Sequence, residues 1–247
     1  MFGWRGRIGL LVPSVNTVVE PEGCALLPDG YAVYATRMRN SRSDADDMAQ
    51  MCAHVDRGVD ELLSANVDAI AFACTAGSFF EGADGEEALR ERLRGGSQIE
   101  AVTTAGAVAS ALRALDAQRV AMVTPYIPEL NDLEVKFLQD WGFDVVSQAG
   151  MSILTAFDIG VVPLEETYRF AREHAAADAD ALFISCTNLR TMDVIQALEE
   201  DLGIPVVTSN QATYWQCLRA LGHTAPIPGY GRLFELSPAA RPVPVTV

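Results

Sequence analysis

The segment Asp68-Ala-Ile-Ala-Phe-Ala-Cys-Thr75 returns 112 residues later as Asp180-Ala-Leu-Phe-Ile-Ser-Cys-Thr187. The same offset carries Ile8-Gly-Leu-Leu-Val-Pro13 onto Val120-Ala-Met-Val-Thr-Pro125. A third pair, Val102-Thr-Thr-Ala-Gly and Val207-Thr-Ser-Asn-Gln, leads into Leu112-Arg-Ala-Leu and Leu218-Arg-Ala-Leu with shifts of 105 and 106, so the halves differ by small insertions and deletions. A period this long exceeds a solenoid unit and approaches a small domain, which makes the chain two similar halves. Two such halves pack most simply about a pseudo-twofold axis, and the cleft between them is a common location for a ligand.

Short apolar runs alternate with helical patterns. Strands are predicted near residues 7–12, 31–37, 68–73, 99–103, 119–123, 143–148, 180–185 and 204–208. Helices are predicted at 44–64, 85–95, 104–115, 130–140, 164–176, 190–201 and 210–221. Such alternation argues for parallel sheets covered by helices, and the nearly unbroken apolar runs 69–73 and 181–185 suit strands buried on both faces. The fold class is therefore α/β: two pseudo-symmetric lobes, each a mostly parallel sheet flanked by helices, with the site in the inter-lobe cleft. The first lobe is expected over 1–117, exchanging a C-terminal segment of about 208–247, and the second over 118–207. Asp44 is the expected cap of the first long helix, while Gly203 and Gly222 sit where helices need a left-handed residue. The proline-rich tail from Thr224 through Pro238, Pro242 and Pro244 reads as a surface strap or a frayed end.

A chain of 247 residues, 49% of them hydrophobic, buries a core without disulfide staples. Five cysteines, an odd number, and the want of a secretory leader place the expected compartment in the reducing cytoplasm. No apolar stretch reaches the ~20 residues a membrane span needs. A net charge of −15 disfavours nucleic acid and acidic membranes as partners, because phosphates need clustered Lys and Arg.

Chemistry concentrates on the repeat. Cys74 and Cys186 each follow a buried strand and precede a turn, at the carboxyl edge of the sheet where open α/β folds bind ligands. Thr75, Ala76, Thr187 and Asn188 then offer N–H groups to a carboxylate or an enolate oxygen, and the same donors are expected to favour thiolate. Two thiols on opposite sides of one carbon suit proton removal and return, or covalent addition by one and proton transfer by the other. The first strand of each half ends in its own polar turn, so Ser14, Asn16 and Tyr126 join the candidate substrate-binding residues, with Ser14 and Thr17 alternatively capping the next helix. Ser209 and Asn210 reach the site or cap the helix 210–221. Cys24, Cys52 and Cys217 have no second copy and read as packing residues. No metal site is expected, since Cys-x-x-Cys and Cys/His spacings are absent and His54, His174 and His223 stand alone.

Together, Gly6-Arg-Ile-Gly-Leu-Leu-Val-Pro-Ser-Val-Asn-Thr-Val-Val-Glu20, Ala73-Cys-Thr75, Thr124-Pro-Tyr126 and Ser185-Cys-Thr-Asn188 resemble the aspartate/glutamate racemase superfamily, and within it the maleate cis-trans isomerase branch. The related arylmalonate decarboxylases lack the first cysteine, so Cys74 argues against that activity. The resemblance implies a homo-oligomeric enzyme that needs no cofactor. Cys74 adds to an alkene carbon of maleate, rotation and elimination give fumarate, and Cys186 is the acid/base partner. Asn16, Tyr126 and the backbone amides hold the small carboxylate. The branch is also expected to carry a second substrate-binding asparagine, where this chain reads Leu154-Thr-Ala-Phe-Asp-Ile-Gly160. Ala156 and Phe157 would make that wall apolar, with Thr155 or Asn188 as substitute donors. Racemisation at an α-carbon and carboxylate binding without turnover remain alternatives.

Overall fold

A computed structural model describes residues 2–42 and 44–236, so Pro238, Pro242 and Pro244 lie outside the described residues. The chain runs β1 (Gly6–Pro13), α1 (Val19–Leu26), β2 (Tyr31–Met38), α2 (Ala45–Cys52), α3 (Val55–Ser64), β3 (Ala69–Phe72), α4 (Thr75–Phe79), α5 (Gly82–Arg94), β4 (Glu100–Thr103) and α6 (Thr104–Ala114). The second half follows as β5 (Arg119–Thr124), α7 (Pro128–Asp140), β6 (Asp144–Gly150), α8 (Ala156–Gly160), α9 (Leu164–His174), β7 (Ala181–Ile184), α10 (Ile195–Leu202), β8 (Val206–Thr208), α11 (Ser209–Ala220) and α12 (Arg232–Glu235). A single 3₁₀ turn, Met192–Val194, precedes α10.

Both sheets are four-stranded and parallel, in the orders β2-β1-β3-β4 and β6-β5-β7-β8. The sequence repeat survives as register. Ile8 pairs Ala69 and Leu11 pairs Phe72 in one sheet, as Val120 pairs Ala181 and Val123 pairs Ile184 in the other. The recurring aspartates have a structural use: Asp68 accepts the Arg7 N–H and Asp180 the Arg119 N–H, closing the start of each central strand. Strands β3 and β7 are wholly buried, which is why their sequences carry no alternation.

The segment read as one helix over 44–64 is two. Asp44 caps α2 by accepting the Asp47 N–H. The chain then breaks at Ala53 and His54, so that Met48 and Met51 bury themselves on one side while Val55, Val59 and Leu62 pack elsewhere. Met48, Met51, Val55, Val59 and Leu62 keep the spacing of a single helical face, so the break between α2 and α3 leaves no trace in the periodicity. The short helices α1, α4, α8 and α12 escaped the periodicity reading because each offers too few turns to show a repeat. Gly203 and Gly222 are left-handed, as a helix end requires. The strap over 224–236 is docked: Leu233 and Phe234 are buried, and Gln211 Nε2 donates to the Tyr230 carbonyl.

Helix α11 follows β8 of the second sheet yet packs against α6, β3 and β4 of the first, and α6 in turn reaches β8. The two sheets are thus coupled through crossed helices. Among the described residues, no helix is long and apolar enough to cross a membrane.

Candidate active site

In a sheet of this strand order the crevice opens where neighbouring crossovers leave in opposite directions, beyond the carboxyl ends of the two central strands. That rule places the turn after β1 and Cys74 after β3 in one lobe, and Tyr126 after β5 and Cys186 after β7 in the other. One cavity is lined by all four positions, through Asn16, Cys74, Thr75, Ala76, Tyr126, Cys186, Thr187 and Asn188, together with Pro13, Val15, Asn40, Met48, Ala156 and Ile159. The lining holds no formally charged side chain.

Cys74 caps α4, its Sγ accepting the Gly77 N–H at 3.4 Å. Gly77 is required there, because a Cβ would stand 2.8 Å from the Phe72 ring and 2.9 Å from the Met51 methyl. The Thr75 and Ala76 N–H groups begin the helix, and among the described residues neither has an acceptor. Cys186 is reached differently. Its φ of +91° lies in the left-handed region, a strain of roughly 1–3 kcal/mol that functional sites often store. The turn directs the Asn188 and Leu189 N–H groups toward the sulfur, and the Tyr126 hydroxyl lies near it.

Both cysteines are more than nine-tenths buried. Burial raises the Cys186 pKa to about 11, against the pull of the Asn188 N–H and the Tyr126 hydroxyl. It raises Cys74 further still, against Gly77. The expectation that turn donors would favour thiolate is therefore overturned: removing a thiolate from water costs more than one N–H group returns at Cys74, or two N–H groups and a hydroxyl at Cys186. Tyr126 is likewise held neutral by burial.

The polar side chains mostly serve one another. Asn16 Oδ1 accepts the Val18 and Val19 N–H groups, and its Nδ2 donates to Thr187 Oγ1 across the lobes at 3.1 Å. Asn16, rather than Ser14 or Thr17, therefore holds the first amides of α1. Thr187 Oγ1 donates to the Ala73 carbonyl. Asn188 Oδ1 accepts the Thr17 N–H, and its Nδ2 gives one hydrogen to the Ala156 carbonyl. Ser14 does not line the cavity; its hydroxyl exchanges hydrogen bonds with the Asn40 backbone. Arg37 braces the same turn through the Ser14 and Asn16 carbonyls.

Thr208 is the cap of α11, so Ser209 and Asn210 are free for other work. Ser209 Oγ accepts both from Thr75 Oγ1 at 2.8 Å and from the Cys186 N–H at 3.0 Å, bracing the two cysteine turns from one atom. Asn210 donates to Glu22 and to the Thr187 carbonyl.

Sequence reasoning missed Asn40, Met48 and Ile159, which arrive from positions with no second copy. In the window 154–160, Ala156 and Ile159 form the apolar wall, whereas Phe157 faces solvent and Thr155 is not part of the lining. Of the remaining cysteines, Cys217 is buried, Cys52 is half-buried with its thiol on the Gly77 carbonyl, and Cys24 is exposed rather than packed.

The arylmalonate decarboxylase family matches residues 8–234. Maleate isomerase of Nocardia farcinica is 36% identical, over 93% of this chain and 95% of that protein. Arylmalonate decarboxylase of Bordetella bronchiseptica is 31% identical, over 93% and 97%. Among solved structures, a cysteine-to-serine variant of the Nocardia farcinica maleate cis-trans isomerase with a covalently bound succinylcysteine intermediate superposes with a TM-score of 0.88, at 31% identity, over 93% of this chain and 98% of that one.

Proposed function

The chain belongs to the arylmalonate decarboxylase family, and from that premise we propose that it is an isomerase that converts a small cis-unsaturated dicarboxylate, maleate, to its trans isomer, fumarate, with two cysteines. The observation that carries the reading is that Cys74 and Cys186, one from each lobe, line a single uncharged cavity.

Cys74, as thiolate, forms a bond to one alkene carbon. The π electrons move to the neighbouring carbon and its carboxylate, giving an enediolate held by the Thr75 and Ala76 N–H groups, the Tyr126 hydroxyl and the second Asn16 amide hydrogen. Cys186 delivers its proton to the enediolate carbon, which leaves a succinyl thioether with a single carbon–carbon bond. After rotation about that bond, Cys186 takes the proton back, the carbon–sulfur bond breaks, and Cys74 leaves as thiolate from the trans product. A thiol held neutral by burial suits the donor role of Cys186, while Cys74 gives its proton to solvent before attack and stays thiolate from one turnover to the next. The succinylcysteine of the Nocardia farcinica relative is the species this sequence of bonds produces. With no cation among the described residues of the lining, the site binds two carboxylates through neutral donors alone.

The wall of Val15, Met48, Ala156 and Ile159 fits a small alkyl substituent on the substrate. Five free cysteines suit a reducing cytoplasm, and two thiols supply both nucleophile and proton without a cofactor. A symmetric homo-oligomer is the proposed assembly.

Proton NMR of freshly reduced protein with maleate tests the reading: fumarate should accumulate. Cys74→Ser and Cys186→Ser should each lower turnover by on the order of 10³ or more with unchanged melting. A variant that keeps its rate loses its assigned role, and solvent deuterium entering an α-carbon without alkene isomerisation would move the activity to racemisation.

A further inference from the structure

Glu134 is a buried carboxyl that the proposed chemistry does not use. It stands in the middle of α7, 2% exposed, with Oε1 accepting the Ser185 hydroxyl at 2.7 Å and Oε2 buried without a partner. Ser185 immediately precedes Cys186, and the Tyr126 hydroxyl lies near both. The remaining surroundings are Thr75 at the start of α4, Ala105 and Val108 on α6, Phe137 and Leu138 on α7 itself, and Phe183 on β7. Its titratable neighbours are Cys186 and Tyr126, and among the described residues no cation faces it.

A carboxylate with one donor and an apolar wall is poorly compensated, so the neutral acid is the form this pocket accommodates. Burial accordingly raises its pKa to about 8, opposed only by Ser185. The neutral form also matters to the site, because a fixed negative charge there would oppose every step in which Cys186 becomes thiolate.

We propose that Glu134 is a positioning residue for Cys186: it anchors Ser185 at the root of the cysteine turn and, by staying uncharged, keeps anionic charge away from the thiol that must itself ionise. The proposal rests on Cys186 being the proton-transferring thiol. Its test reads the thiol directly, so failure to isomerise maleate would remove that reading without touching this result.

The measurement is the rate of Cys186 alkylation by iodoacetamide, followed by peptide mass spectrometry from pH 6 to 10, in the wild-type chain, Glu134→Gln and Ser185→Ala. Below about pH 7 Glu134 is neutral in the wild type and glutamine is neutral in the variant, so the rates should coincide. As pH rises through about 8 the wild-type carboxyl ionises and holds Cys186 back, and Glu134→Gln should then react faster by roughly three- to tenfold at pH 9.5. Ser185→Ala keeps the carboxyl but removes its donor, which raises its pKa further. It should accelerate alkylation in the same direction between pH 8 and 9, by less than Glu134→Gln, and it serves if the glutamine chain does not fold. Curves that superpose on the wild type at every pH overturn the proposal. So does an equal acceleration at pH 6.5 and 9.5, which would mark a packing residue and nothing more.

Discussion

Ile159 and Ala156 face the cavity from α8, where the resemblance called for an amide donor; Thr155 lies off the lining, and Asn188 commits one amide hydrogen to the Ala156 carbonyl. Selectivity should follow from that wall. Ile159→Asn should shift the kcat/KM ratio of maleate to 2-methylmaleate toward maleate by about tenfold, the usual worth of a methyl group in an apolar pocket. An unchanged ratio would show that Ile159 does not meet the substrate. At this scale the chain was legible where residues recur or end a strand. Cys74, Asn16, Thr75, Ala76, Tyr126, Cys186, Thr187 and Asn188 all line one cavity. Protonation was not legible, since a sequence shows which donors follow a cysteine but not how much water its burial excludes.

Helix α4 occupies five residues and exists to aim Cys74, its first amides and Gly77 at one point. Substituting Gly77→Ala would press a methyl against Phe72 and Met51, and should cost about 1–3 kcal/mol in urea denaturation while displacing Cys74. Stability equal to the wild type would mean that Phe72 and Met51 yield freely. A second element-level device is the first residue of α11. Ser209→Ala removes the acceptor shared by Thr75 and Cys186 and should lower stability by about 1–3 kcal/mol, with a larger proportional loss in kcat than in substrate affinity. A loss confined to KM would assign Ser209 to binding instead. The long strands and helices followed from periodicity, whereas α4 and α8, which shape the pocket, carry too few residues to announce themselves.

Across the whole molecule the two sheets share one strand order and one register, and α11 of the second half lies on the first sheet. Tyr214, at the middle of α11, is fully buried and donates to the Val19 carbonyl of α1. A chain ended after residue 208 would bare α6 and the neighbouring faces of β3 and β4. The loss should exceed the 5–15 kcal/mol that typically holds a domain, and the truncated chain should show no cooperative thermal transition. A truncated chain with a sharp transition would show that the lobes do not depend on the exchanged helix.

The duplication, the α/β class, the parallel sheets and the pair of cysteines followed from the sequence alone, because a repeat at fixed offset and an unbroken apolar strand are properties of residue order. The partners of each polar group, the neutral state of the thiols, the carboxyl of Glu134 behind Cys186 and the apolar wall at Ile159 were decided by tertiary structure. Each depends on what residues far apart in the chain exclude or supply at one point in space, and neither water exclusion nor a cross-lobe hydrogen bond has a local signature.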